Sequence, residues 1–158
     1  MPKLYLIHGY IGAGKTTFAK QLEVESGAVR FSLDDWMEEL YGTNPPVELF
    51  GVYEARVKAL IVKVTEGVLR RGVGVILDFG FWKRVERDAL RAWGRSLGAE
   101  VVLYDVQVPE KVALARVRAR NEAGGAGVLL IDDAAFFDLR KQFEPLGMDE
   151  ARVAVGTE

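Results

Sequence analysis

The 158-residue chain has no cysteine and a single histidine, His8. Without thiols there is no disulfide framework, no thiolate metal site and no cysteine nucleophile, and one imidazole excludes a multi-histidine centre. Apolar runs of membrane-spanning length are missing as well, because Lys58, Lys63 and Glu66 interrupt the longest helical candidate. Nor does either sign of charge dominate: 21 basic and 23 acidic side chains leave a net charge of −2. A broad nucleic-acid-binding face needs a surplus of cations, so only a local basic groove is compatible with this balance. A strand-like run starts almost at the first residue, so no secretory leader is expected and the cytoplasm is the expected compartment.

What is present is an ordinary globular composition, 49% hydrophobic and 28% charged, over a length that suits a single domain spanning residues 1–158. One segment stands apart from it. Gly9 to Thr16 reads GYIGAGKT and meets the pattern G-x-x-x-x-G-K-[ST] at every defined position. A mostly apolar run, Lys3–His8, precedes it, and a helix start, Thr16–Leu22, follows. A strand, a glycine turn and a helix N-terminus hold polyphosphate because consecutive N–H groups curl around the anion and the helix dipole adds to their field. Gly9, Gly12, Ala13, Gly14, Lys15, Thr16 and Thr17 are therefore expected to bind a nucleoside triphosphate. Lys15 would bridge the β- and γ-phosphates and the Thr16 hydroxyl would ligate Mg²⁺. His8 ends the strand and is expected to pack or hydrogen-bond there.

The remaining chain alternates strand and helix. Strands are expected at 28–32, 73–77, 101–106 and 152–155, and helices at 34–40, 49–71, 82–97, from Pro109, and at 131–143; Asn121–Gly127 reads as a glycine-rich loop. Such alternation implies an α/β fold, a parallel sheet with helices on both faces and ligands at the carboxyl ends of its strands.

Three groups of residues fall at those ends. Ser32-Leu33-Asp34-Asp35-Trp36 follows the second strand, and Asp34 or Asp35 can serve as the general base that takes a proton from an acceptor hydroxyl; a helix N-cap with a first-turn acid is the other reading. Asp78 closes the apolar run Val73–Leu77 in the manner of a carboxylate that binds Mg²⁺. Phe79, Phe81 and Trp82 after it suit an acceptor pocket or the core equally. Arg116 and Arg120, four residues apart, share a helix face and can clamp a triphosphate. The glycines behind them would let this stretch, about 109–131, hinge as a lid. Arg84 and Arg87 are expected in solvent.

With GYIGAGKTT, SLDDW, ILDFGF and VPEKVALARVRARN together, the chain resembles P-loop kinases of the polynucleotide kinase, zeta-toxin and chloramphenicol phosphotransferase group. The resemblance implies a three-layer P-loop NTPase fold, strand order 2-3-1-4-5, with ATP and Mg²⁺ as cofactors. It also implies Asp34 as base, Asp78 as the metal carboxylate, and Lys15, Arg116 and Arg120 as catalytic cations. Polynucleotide kinases of the group usually carry an arginine three residues beyond the base to hold an acceptor phosphate, and Met37 stands there. This departure favours a hydroxyl on a small molecule as the acceptor over a nucleic-acid 5′-hydroxyl. A nucleotide-dependent switch or ATPase is the alternative from another functional class. No membrane partner is expected.

Overall fold

A computed structural model describes residues 1–124 and 130–156. Gly125, Ala126 and Gly127, the core of the expected hinge, lie outside the described residues. Among the described residues, thirteen successive elements are built from short-range signals. β1 (Lys3–His8) leads into α1 (Lys15–Ser26), β2 (Val29–Ser32) into α2 (Leu33–Tyr41), and after a 3₁₀ turn comes α3 (Phe50–Arg70). β3 (Val75–Gly80), α4 (Arg84–Ser96), β4 (Glu100–Gln107), α5 (Glu110–Ala123), α6 (Asp133–Leu139), a second 3₁₀ turn and β5 (Val153–Gly156) complete the chain.

All pairings in the five-stranded sheet are parallel, in the order β2-β3-β1-β4-β5. Alternation along β1 shows why the sheet is covered on both sides. Leu4 and Leu6 enter one core with Val57, Ile61 and Leu69 of α3, while Tyr5 and Ile7 enter the other with Ala19 and Leu22 of α1. Burying each such aliphatic side chain contributes about 1.5–3 kcal/mol. A third cluster joins Tyr10 of the phosphate loop to Ala113 and Val117 of α5 and Phe136 of α6. The loop is thereby packed against the following helices and does not stand free. No helix among the described residues is long and apolar enough to cross a membrane.

Several boundaries differ from expectation. β3 runs on through Asp78 to Gly80, so Asp78 lies inside the strand, paired in register with Ser32 of β2. Gly80 and Phe81 both take positive φ, 83° and 50°, and this turn delays α4 to Arg84, leaving Trp82 outside it. Asn121 belongs to α5 and not to the loop. Its side-chain amide pairs with both backbone groups of Ile131, in the manner of a strand partner. The last helix is confined to Asp133–Leu139, begun by Asp132, whose carboxylate accepts from Ala135 N–H at 2.7 Å.

Candidate active site

The phosphate loop joins the central strand β1 to α1. Gly12 and Gly14 have φ of 78° and 92°, left-handed values that glycine reaches without strain. At this turn the amides of Gly12, Gly14, Lys15 and Thr16 donate to no backbone acceptor among the described residues. Gly14 caps α1 without a side-chain acceptor. Idle N–H groups at a helix start form a field suited to an anion. Gly12 has a second role that its motif position did not disclose: a Cβ there would lie 2.6 Å from the Ala113 carbonyl oxygen of α5. Trp82 Nε1 donates to the Gly9 carbonyl at 3.2 Å, fixing the loop from the β3 side.

Lys15 Nζ donates to the loop's own Tyr10 carbonyl at 2.8 Å, curled over the turn it would leave for a phosphate. Partial enclosure lowers the pKa of its ammonium, and Asp78 and Asp34 work against that shift. Thr16 Oγ1 donates to Asp78 Oδ2 at 3.2 Å, which brings together the hydroxyl and the carboxylate expected at the metal. Asp78 is buried, and desolvation raises its pKa against the pull of Lys15 and the Thr16 hydrogen bond. A buried carboxylate beside a hydroxyl fits Mg²⁺, which needs only one or two protein ligands besides phosphate and water.

Asp34 opens α2. Although water reaches this carboxylate, crowding by the cleft wall raises its pKa; Asp35 and Glu54 push the same way, and Lys15 and Arg120 oppose. The neighbouring acids separate by environment. Ser32, the N-cap of α2, accepts from Asp35 N–H at 3.2 Å, and the Asp35 carboxylate turns to Arg30, whose Nη2 lies 3.5 Å away. Asp34 is left facing the cations of the cleft.

On α5, Arg116 Nη1 approaches the Gly12 carbonyl at 3.4 Å. Arg120 is exposed, with its charge felt at both Lys15 and Asp34. Arg118 points elsewhere and binds Asp133 with Nε at 3.0 Å. The carboxyl edge of the sheet thus brings Lys15, Thr16, Asp34, Asp78, Arg116 and Arg120 into one neighbourhood around the phosphate loop.

Other residues fall outside it. Phe81 is fully buried in the core and stacks on Phe79, and Trp82 packs on Tyr10, so these rings support the loop. Arg87, expected in solvent, is the largest fully buried side chain. It bonds Glu150 through Nε and Nη2, both at 2.9 Å, and the carbonyls of Phe81, Glu144 and Pro145. Its position on the stripe Arg87, Leu90, Trp93 signals burial, whereas nothing local announces Glu150 as its partner. His8 is buried and structural as expected: Nδ1 lies 3.1 Å from Asp105 Oδ1 and the ring packs on Phe143. Arg30, which the sequence reading passed over, stands within 3.9 Å of Asp78 Oδ2.

No curated protein matches the chain. Solved structures do. A protein from Chloroflexus aurantiacus j-10-fl assigned as a kinase superposes with a TM-score of 0.77 at 17% identity, covering 98% of this chain and 88% of that one. A chain of the Pnkp1/Rnl/Hen1 RNA repair complex gives a TM-score of 0.71 at 23% identity over 89% of this chain and 43% of that one. A sugar kinase from Janibacter sp. HTCC2649 gives 0.68 at 20% identity over 99% and 86%. At these identities the likeness establishes the fold, which is that of P-loop kinases. Residues 4–146 match the model described as AAA domain, AAA_33, and the chain belongs to that nucleotide-binding P-loop family.

Proposed function

We propose that the protein is a kinase that uses ATP and Mg²⁺ to transfer the γ-phosphoryl group to a hydroxyl of a small molecule. The observation that supports this reading is that Asp34 lies in the first turn of α2, just past the carboxyl end of β2, within the electrostatic reach of Lys15 of the phosphate loop and of Arg120 of α5. A protein that only binds nucleotide has no need of a base there, whereas a kinase uses one to take the acceptor's proton.

In this reading the loop amides and Lys15 hold the β- and γ-phosphates, with Lys15 giving up the Tyr10 carbonyl to do so. Thr16 and Asp78 hold Mg²⁺, which supplies charge neutralisation of the phosphates. Asp34 orients the acceptor oxygen and takes its proton as the bond to phosphorus forms. Arg116 and Arg120 stabilise the charge spread over the transferring group. α5 supplies the cover.

Met37 supports a small acceptor. It stands where the resemblance puts an acceptor-phosphate arginine, and its side chain is buried in the core. A polynucleotide 5′-hydroxyl is the second reading, supported by the paired acids Asp34-Asp35 and by the fold shared with the RNA repair chain.

Release of ADP from Mg·ATP, measured across a panel of sugars, nucleosides, antibiotics and a 5′-hydroxyl oligonucleotide, tests both. Stimulation by a small hydroxylated compound is expected. Stimulation by the oligonucleotide alone would transfer the assignment to the second reading, and a rate indifferent to every acceptor would overturn the kinase assignment.

A further inference from the structure

Arg30 lies on the edge strand β2, and its guanidinium group is largely enclosed, with 13% of the side chain exposed. Three carboxylates surround it. Nη2 is 3.5 Å from Asp35 Oδ2, Nη1 is 3.9 Å from Asp78 Oδ2, and Nε is 3.9 Å from Glu23 Oε1. None of these contacts is a hydrogen bond, and both Nε and Nη1 are buried without a partner.

Such a side chain is unusual, because buried guanidinium groups normally saturate their five donors and an idle one calls for a reason. Arg87 in this same protein shows the saturated state: its three nitrogens make five bonds, to Glu150 and to three carbonyls. Arg30 differs in location as well as in bonding. It stands between the first turn of α2, which carries Asp34, and the carboxylate in contact with Thr16. A shift of about an ångström would turn its approaches to Asp35 and Asp78 into charge-assisted hydrogen bonds.

We propose that Arg30 is a positioning residue: its guanidinium couples the first turn of α2, through Asp35, to the metal carboxylate Asp78, and closes those bonds when nucleotide and metal bind. Asp34 is thereby brought to its working position by its neighbour. A planar fork fixes the angle between the two carboxylates it reaches, whereas an ammonium group on a flexible stem, such as Lys58 between Glu54 and Glu86, imposes no such geometry. The inference rests on the reading of Asp34 as base, but the coupling itself is measurable without any acceptor.

The test compares wild type, Arg30→Met, Arg30→Lys and Asp35→Asn by amide hydrogen exchange in the first turn of α2 (residues 33–37), with and without a non-hydrolysable Mg·ATP analogue. In the wild type the analogue should slow exchange there. Arg30→Met should abolish that gain and Arg30→Lys should keep part of it, and analogue affinity should fall in step with the lost protection, because binding and the ordering of α2 are coupled through the same side chain. With an active acceptor in hand, kcat should fall on the order of 10–100-fold in Arg30→Met, as for other residues that orient catalytic groups. Adding Asp35→Asn should cost little more, because both changes cut one connection.

An undiminished gain in protection in Arg30→Met, or additive losses in the double variant, would overturn the proposal. If Arg30→Met fails to fold, Arg30→Lys and Asp35→Asn carry the same comparison. Should no acceptor stimulate the wild type, the kinase reading fails, while the exchange result still decides the role of Arg30.

Discussion

A methyl group on Gly12 would sit 2.6 Å from the carbonyl oxygen of Ala113, so the phosphate loop and the backbone of α5 touch at a point that admits only glycine. The left-handed φ of 78° adds a second obstacle to any side chain. Gly12→Ala should therefore push α5 away from the loop and carry Arg116 with it. The conformational cost alone is about 1–2 kcal/mol. Thermal unfolding should show a lowered midpoint and calorimetry a loss of nucleotide affinity, both from this one change. Retention of wild-type affinity would mean that α5 does not shape the phosphate site.

Asp34→Asn should separate binding from transfer. The amide cannot take a proton, and positioned bases typically contribute about 10²–10⁴-fold, so kcat should fall by that order while nucleotide affinity persists. The pH profile gives a second readout. A carboxylate serves as a base only when ionised, and the pKa of Asp34 is raised, chiefly by restricted hydration. The rate should therefore decline on acidification at a higher pH than an ordinary carboxylate would cause, and that limb should vanish in Asp34→Asn. Initial rates at saturating Mg·ATP across pH would show it.

Removing the metal should silence the enzyme, and Asp78→Asn should raise the Mg²⁺ concentration needed for half-maximal rate. The carboxylate is buried beside Thr16, and the neutral amide offers a divalent ion a far weaker ligand. Titration of activity with MgCl₂ after chelation would measure the change. An unaltered Mg²⁺ dependence would remove Asp78 from the metal site.

Much of this arrangement was written in local signals. The eight residues of the loop, the strand before them and the helix after them announce phosphate binding by themselves. The acids Asp34 and Asp78 became candidates once strand–helix alternation placed them at one edge of a sheet. What stayed hidden depends on how side chains turn and on long-range pairing. Which of Asp34 and Asp35 is drawn away turns on Arg30, five residues before Asp35 on the strand that leads into α2, a contact that no spacing rule announces. The second role of Gly12 depends on α5, about 100 residues onward. Arg87 offered a partial signal, because it continues the apolar stripe of α4, yet a charge on such a stripe reads as exposed until its partner is known.

That partner, Glu150, supports the final prediction. Arg87 ties the segment from Glu144 to Glu150 onto the Phe81 carbonyl, next to the turn whose Gly80 carbonyl accepts from Gly9 N–H of the phosphate loop. Arg91 adds a second bond to Glu150, at 2.9 Å. Both members of the central pair are buried, so removing one charge strands the other, at a cost of about 3–5 kcal/mol. For a domain of this size that is on the order of 10 °C in Tm. Glu150→Gln should show this loss in thermal unfolding at neutral pH. The guanidinium groups hold the Glu150 carboxyl well below the ordinary glutamate value of 4.5. A depressed folded-state pKa stabilises at pH above the unfolded value, and that contribution is lost as acidification carries the group toward its folded pKa. The Tm gap between wild type and Glu150→Gln should accordingly be full near pH 7 and narrow below about pH 4.5. A gap that does not change with pH would mean that the variant loses packing and not charge pairing.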